Sequence, residues 1–273
     1  MIHILQNSRI YIALSLIVIS MVACGPTSEE IAKEKYTRAS SLYDQERYND
    51  AMLILDSIAN EFSGEIEYVT RAEDLIRKIK ISEQERSLAF LDSALSQKNK
   101  ELEGLMKNFI ISKAYGEKEI LIHKRQKPEN SFGRTYLRAH LDMEGNFYIS
   151  SRYSGDKYIY HNKIKVYHQD QAVISEEIPY DEFDNRRFED GGTYWEVVNY
   201  KDNADNGIID FISQNYKLPL KVEFIGKKRY YIVMEKFDKE AIRDGYEISF
   251  VLKEITKIKK EIEIAKNQLD RLK

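Results

Sequence analysis

The groups in this chain of 273 residues that could do chemistry are few: one cysteine, five histidines and two acidic clusters. Cys24, the only thiol, is the one whose surroundings specify a reaction. The segment ahead of it carries Arg9. Ile10 to Val22 is then almost unbroken apolar sequence, closed by Met21-Val22-Ala23-Cys24-Gly25. A positive start, a short apolar run and a small residue before the cysteine are what a lipoprotein signal peptidase cuts. The expected chemistry is acylation of the Cys24 sulfur, with palmitate-type chains. A membrane-spanning helix needs ~20 apolar residues, and this run falls several short, with Gly25-Pro26 behind it. Residues 1–23 are therefore expected to be a removed signal peptide. With Gly25 after the cysteine, an outer-membrane address facing the periplasm or the outside is expected.

Four histidines follow the cleavage point: His123, His140, His161 and His168. No two have the i, i+4 spacing of a helical zinc site, and no cysteine can join them, so no metal site is expected. Acids cluster at Asp181, Glu182, Asp184, Glu189 and Asp190, and again at Asp202 and Asp205 ahead of Asn206-Gly207. A calcium loop started at Asp202 would need an oxygen-bearing side chain at its third position, which is Ala204, and a bidentate Glu at its twelfth, which is Ser213, so Asp202 and Asp205 are read as helix caps. A glycosidase carboxylate pair could be drawn from the same acids, but sequence does not fix their separation. No phosphate-binding glycine loop, no Gly-x-Ser-x-Gly elbow and no nucleophile–base pair is readable. Neither an enzyme nor a cofactor is expected. The remaining feature is aromatic: Tyr136, Tyr148, Tyr158, Tyr160, Tyr167 and Trp195 fall outside the inferred core face. Flat amphipathic rings can stack on a glycan or seat a protein partner, and they can equally pack against a second layer.

The formal charge is −3. It becomes −4 after processing, because Arg9 is the only charged side chain ahead of Cys24. A near-neutral chain lacks the basic surface that nucleic acid requires. Once Cys24 is acylated no thiol is left for disulfides, so stability must come from burial.

The elements that must carry these groups are of two textures. Residues 24–64 read as a tether and a helical hairpin. Ile31, Ala32, Tyr36, Ala39, Leu42 and Tyr43 follow helical spacing, and Ala51, Leu53, Ile54, Leu55 and Ile58 do so again after the Gln45-Glu46-Arg47 turn. Ala39, Leu42, Tyr48, Ala51, Leu55 and Ile58 carry a resemblance to a tetratricopeptide hairpin, in which small residues let the helices approach closely. Only one such unit is visible.

Residues 65–118 read as long helices. Ile81, Leu88, Leu95, Leu102 and Phe109 are seven apart, with Leu91 and Leu105 between them and Gln84 and Lys98 interrupting the seam. A cleaner seam lies in residues 237–273: Ile248, Ile255, Ile262 and Leu269, with Val251, Ile258, Ala265 and Leu272. Sustained heptads argue for coiled-coil packing. Two such helices in one chain are expected to pair antiparallel as a stalk, because an intramolecular partner has the higher effective concentration.

Residues 119–236 alternate with period two and read as an antiparallel β head. Strands are expected near 135–141, 147–153, 163–168, 172–177, 193–200, 220–225 and 229–234, with one helix over 207–216. The fold class is thus α+β, with the head inserted into the stalk. The stretches Leu141-Asp-Met-Glu-Gly-Asn-Phe-Tyr-Ile, Ile178-Pro-Tyr-Asp, Asn185-Arg-Arg-Phe and Asp205-Asn-Gly carry a further resemblance. Through them the chain resembles a family of uncharacterised lipoproteins of bacteroidete-type bacteria, which implies an address and an architecture. The expected function is a non-enzymatic interaction or scaffold protein of the cell envelope, binding a protein partner. The alternative is a glycan- or ligand-binding module using Tyr136, Tyr148, Tyr158, Tyr160 and Trp195.

Overall fold

A computed structural model describes residues 25–113 and 119–273. Cys24 and the segment read as a signal peptide lie outside the described residues. The chain is mixed α+β, with antiparallel sheets and long helices. The described residues divide into two compact units, one of those up to Ala89 together with Ile264–Lys273, the other of those within Phe90–Glu263.

In the first unit, α1 (Ser28–Asp44) starts on a reciprocal cap: Glu30 N–H donates to Thr27 Oγ1 at 3.2 Å and Thr27 N–H to the Glu30 carboxylate at 2.9 Å. Glu46, at φ 58°, turns the chain into α2 (Tyr48–Glu61). Then α3 (Ile66–Leu105) begins, and its first turns complete the unit's core. Ala32, Ala39, Ala51 and Ala72 are buried beside Leu55, Ile58, Tyr68, Leu75 and Ile79. Alanines at those positions cost no side-chain entropy and allow close helix approach. The larger side chains supply the burial, about 1.5–3 kcal/mol each.

Among the described residues the second unit holds ten strands, three more than the periodicity predicts. The six-stranded sheet has the order β1-β2-β3-β4-β8-β7, from β1 (Phe109–Ser112), β2 (Ile120–His123), β3 (Tyr136–Asp142), β4 (Phe147–Gly155), β7 (Asn185–Asp190) and β8 (Thr193–Tyr200). The four-stranded sheet runs β10-β9-β5-β6, from β5 (Lys163–His168), β6 (Gln171–Ile174), β9 (Lys221–Ile225) and β10 (Arg229–Val233). All pairings are antiparallel. With the end of α3 from Phe90 and the single helical turn Pro128–Ser131, α4 (Ile208–Asn215) and α5 (Lys236–Leu272) as far as Glu263 complete the unit.

Phe109 corrects the heptad reading. The helix stops at Leu105, Met106–Asn108 makes one tighter turn, and Phe109 opens β1. Phe109-Ile110-Ile111 is a β-prone run, and β2 gives it a partner that the sequence pattern does not display. Strand β7 escapes the sequence pattern because it is an edge strand reading Asn-Arg-Arg-Phe-Glu-Asp, with almost no apolar alternation. It is fixed by its turn: Gly191 and Gly192, at φ 58° and 79°, make the two-residue connection that fits β7 to β8.

Leu137, Ile149, Tyr153, Val198 and Tyr200 of the large sheet face Ile164, Val166, Val222 and Phe224 of the small one. Ile208 and Ile212 of α4 and Ile242 of α5 close that core. Side by side with it, Phe109, Leu121 and Leu141 pack on Ile248 and Leu252, with Leu102 and Leu105 against them. Successive residues on a strand point to opposite faces. The even-numbered positions of β3 and β4 therefore line the face of the large sheet turned away from this core.

Candidate functional site

On that outer face the strand register builds a polar cavity. Across β3, β4 and β8, Arg138 pairs with Ser150 and Ser150 with Asn199. One step along, Arg152 and Arg186 both pair with Val197, from its two sides. His140 lies opposite Tyr148. All of these but Ser150, with Ile120, Asp142 and Asn146, line a cavity of about 440 Å³. Three guanidinium groups thus converge on one space against a single lining carboxylate, Asp142, which already accepts the N–H groups of Glu144 and Asn146 at 2.9 Å each.

Each cation is held by its element. Arg138 is 3 % exposed, and both it and Arg152 make further contacts within the chain. Arg186 is the exposed member, on edge strand β7. The ring of His140 stacks in parallel on that of Tyr148, centroids 4.5 Å apart, and its Nε2 is 2.8 Å from Ser150 Oγ. Burial, then the charges of Arg138, Arg152, Lys201 and Arg186, hold His140 well below the ordinary histidine value. It is therefore a neutral hydrogen-bonding ring in a cationic setting. Beside it, Lys201 lies 5.6 Å from the Tyr148 ring centroid and 2.6 Å from Asp184. Fixed, clustered guanidinium groups with a neutral imidazole between them suit an oxyanion, which arginine can bind through two parallel N–H bonds.

The aromatic expectation divides. Tyr136 and Trp195 are corrected: they are 1 % and 7 % exposed, covered within the protein and closed to a ligand. Arg134 lies over the Tyr136 ring, while Phe188 stacks on Trp195 and Phe132 packs against it. Tyr148 is half-buried and enters the cavity wall. Tyr158 and Tyr160 lie elsewhere, in the segment before β5, where Tyr158 meets Tyr194 edge-on at 4.7 Å. Tyr167 is half-buried on β5.

One constellation invisible in the sequence lies in the core. Glu196 accepts the backbone N–H groups of Ile159 and Tyr160 at 2.7 Å and of His161 at 2.8 Å, and its carboxylate is 2.6 Å from His161 Nδ1. Ser151 Oγ is 2.8 Å from His161 Nε2 and 3.3 Å from the Tyr200 hydroxyl. A carboxylate only accepts, so Nδ1 carries the imidazole proton. Ser151 then donates to Nε2 and Tyr200 to Ser151. Burial lowers the His161 pKa below its ordinary value. Burial pushes Glu196 up, but the hydrogen bonds from His161 and the backbone outweigh it and leave the carboxyl below its ordinary value. The order Ser–His–Glu has the distances of a nucleophile, base and orienter. Yet Ser151, His161 and Glu196 are all fully buried, and a nucleophile must be reached by its substrate. The relay instead ties residues 159–161 to the sheet.

The sequence signal for the cavity was the polar face of β3 and β4, with Arg138, His140, Tyr148 and Arg152 at alternating positions. Arg186 and Asn199 required the β7–β8 pairing. For the relay there was no local signal, since its three members come from β4, a loop and β8. No protein-family model, curated protein or solved structure matches this chain.

Proposed function

We propose that this chain is a non-enzymatic, lipid-anchored binding protein of the bacterial cell envelope, whose β unit takes an anionic ligand in the arginine-lined cavity. The observation that carries the reading is the convergence of Arg138, Arg152 and Arg186 on a cavity walled by the stacked pair His140 and Tyr148. Charge-assisted hydrogen bonds in such a partly enclosed space are stronger than on open surface. The anchor is Cys24, in keeping with the resemblance to lipoproteins of bacteroidete-type bacteria.

The helices serve this reading as a spacer. The tetratricopeptide-like hairpin of α1 and α2 stands nearest the anchor, and α3 and α5 pair antiparallel within one chain. In support, Lys98 is 2.7 Å from Glu254, and Leu102 and Leu105, further along α3, pack with Ile248 and Leu252, earlier on α5. A protein partner on the helical unit is the second reading, favoured by Leu53 and Ile66, which are large, apolar and exposed on it.

The binding test is calorimetric titration of the full chain in detergent with a panel of small phosphates, sulfates and carboxylates. Arg186→Ala should weaken the best ligand about tenfold, the loss of roughly one charge-assisted bond. Unchanged affinity in that variant refutes the cavity as the site. Cys24→Ala should abolish palmitate labelling and release the protein from membranes. Retained labelling refutes the anchor, and pull-down with the anchored chain tests the protein partner.

A further inference from the structure

Tyr160 is a bulky aromatic residue held at φ 60°, a left-handed conformation that such side chains rarely adopt. Several features hold it there. Glu196 gathers the N–H groups of residues 159, 160 and 161. The β9–β10 turn closes on the same segment, Lys228 N–H donating to Ile159 O at 3.1 Å and Asn162 N–H to Ile225 O at 3.0 Å. Gly226 in that turn has no room for a side chain, since a Cβ would overlap the backbone of Tyr160 and His161. A buried carboxylate and a fitted turn thus impose strain on a residue whose ring is 40 % exposed. Strain maintained in this way marks a place where position matters.

What it positions is a row of rings and cations. The Arg187 guanidinium lies 5.1 Å from the Tyr160 centroid and 4.7 Å from that of Tyr180, and the Lys227 ammonium lies 4.5 Å from Tyr160. Arg187 neighbours Arg186 in β7 but points to the opposite face, so this cleft is separate from the cavity above. The cleft, of about 600 Å³, is also lined by Asn162, Lys163, Glu177 and Pro179. Lys163 and Glu177 neutralise one another at 2.9 Å. The Glu182 carboxylate accepts from the Tyr180 hydroxyl, at 3.4 Å. Arg187 Nε is buried and without a hydrogen-bond partner. Rings against a guanidinium occupy its faces and leave its edge N–H groups for an oxyanion. Tyr180, half exposed, offers a flat apolar face beside them.

We infer that this cleft is a second ligand site, taking a sugar that bears a carboxylate or sulfate, with the oxyanion on Arg187 and Lys227 and the ring against Tyr180. The site stands independently of the cavity on the outer face. The test is titration calorimetry on the full-length chain in nonionic detergent. Its probes are a sulfated disaccharide, a uronic-acid disaccharide, the neutral parent disaccharide and inorganic sulfate. At least one charged disaccharide should bind saturably, and at least tenfold more tightly than either the neutral sugar or inorganic sulfate. Lys227 is exposed on a turn, so Lys227→Ala should keep the parent melting temperature while weakening that binding about tenfold. Arg187→Gln should weaken it comparably. No saturable binding of a charged disaccharide overturns the inference, as does equal affinity for the neutral sugar or for sulfate. So does unaltered affinity in Lys227→Ala.

Discussion

Replacing Glu196 by glutamine alters one polar group at the centre of the β unit and nothing in its shape. The native carboxylate receives four donors: Ile159 and Tyr160 N–H on one oxygen, His161 N–H and His161 Nδ1–H on the other. A glutamine carbonyl can keep the first two. The amide nitrogen then faces the other two, and only the imidazole can adapt, by moving its proton to Nε2 and accepting at Nδ1. The His161 backbone N–H cannot adapt and is left buried against another donor, a loss of about 1–3 kcal/mol. The two retained bonds fall from charged to neutral acceptors, costing about 1 kcal/mol each. Relief from burying a charge offsets part of this. The expected net loss is about 2–4 kcal/mol. For a unit of this size that lowers the melting temperature by roughly 4–16 °C. Scanning calorimetry of the full chain at pH 7 measures the drop. Hydrogen exchange should show His161 losing protection first, since its N–H is the one left without an acceptor. A drop under about 2 °C, with protection intact, would mean that the relay is not what holds residues 159–161.

Three histidines, His123, His140 and His161, are held below their ordinary value of 6.5, in each case chiefly by burial. The unfolded chain then binds more protons, so their contribution to stability is complete above about pH 6.5 and is lost as pH falls toward the folded values. The urea midpoint should therefore drop between pH 7 and 5.5, and a flat or rising midpoint contradicts the assignment. Glu196, held below its ordinary value of 4.5, adds a contribution lost only at more acid pH, as its folded value is passed. Gly226→Ala should destabilise by about 1–3 kcal/mol, because the added carbon meets backbone that cannot swing aside. Chemical denaturation at neutral pH measures it, and a neutral effect would place the β9–β10 turn farther from Tyr160. For the stalk, cysteines replacing Lys98 and Glu254 in a Cys24→Ala background should be joined within one chain by a short bismaleimide. Linkage found only between chains would make the helix pairing an oligomer contact.

How much of this could be read beforehand depended on how local the cause was. Helices α1, α2 and α5, the β3–β4 hairpin and the β9–β10 hairpin follow from periodicity and turn residues a few positions apart. Those causes act within one or two turns of chain, so the sequence displays them directly. The expected address rests on Cys24 and the apolar run before it, a pattern read by an enzyme from local sequence. Strands β1 and β2, largely apolar runs of four residues, and β7, an almost wholly polar one, were hidden because it is pairing that commits them to the sheet. Phe109 sat at a heptad position and still became β, since β2 offered its backbone a partner. Tyr136 and Trp195 look like surface aromatics on one strand's alternation, and only their neighbours Arg134, Phe188 and Phe132 bury them. Arg138, Arg152 and Arg186 belong to three strands, and Ser151, His161 and Glu196 are brought together from 45 positions of chain. The register that unites them is set by burial of the opposite sheet face. The sequence by itself determined which segments could be helices or strands. Which side chains meet was decided by packing two sheets face to face, because contact between distant residues depends on the whole core closing at once.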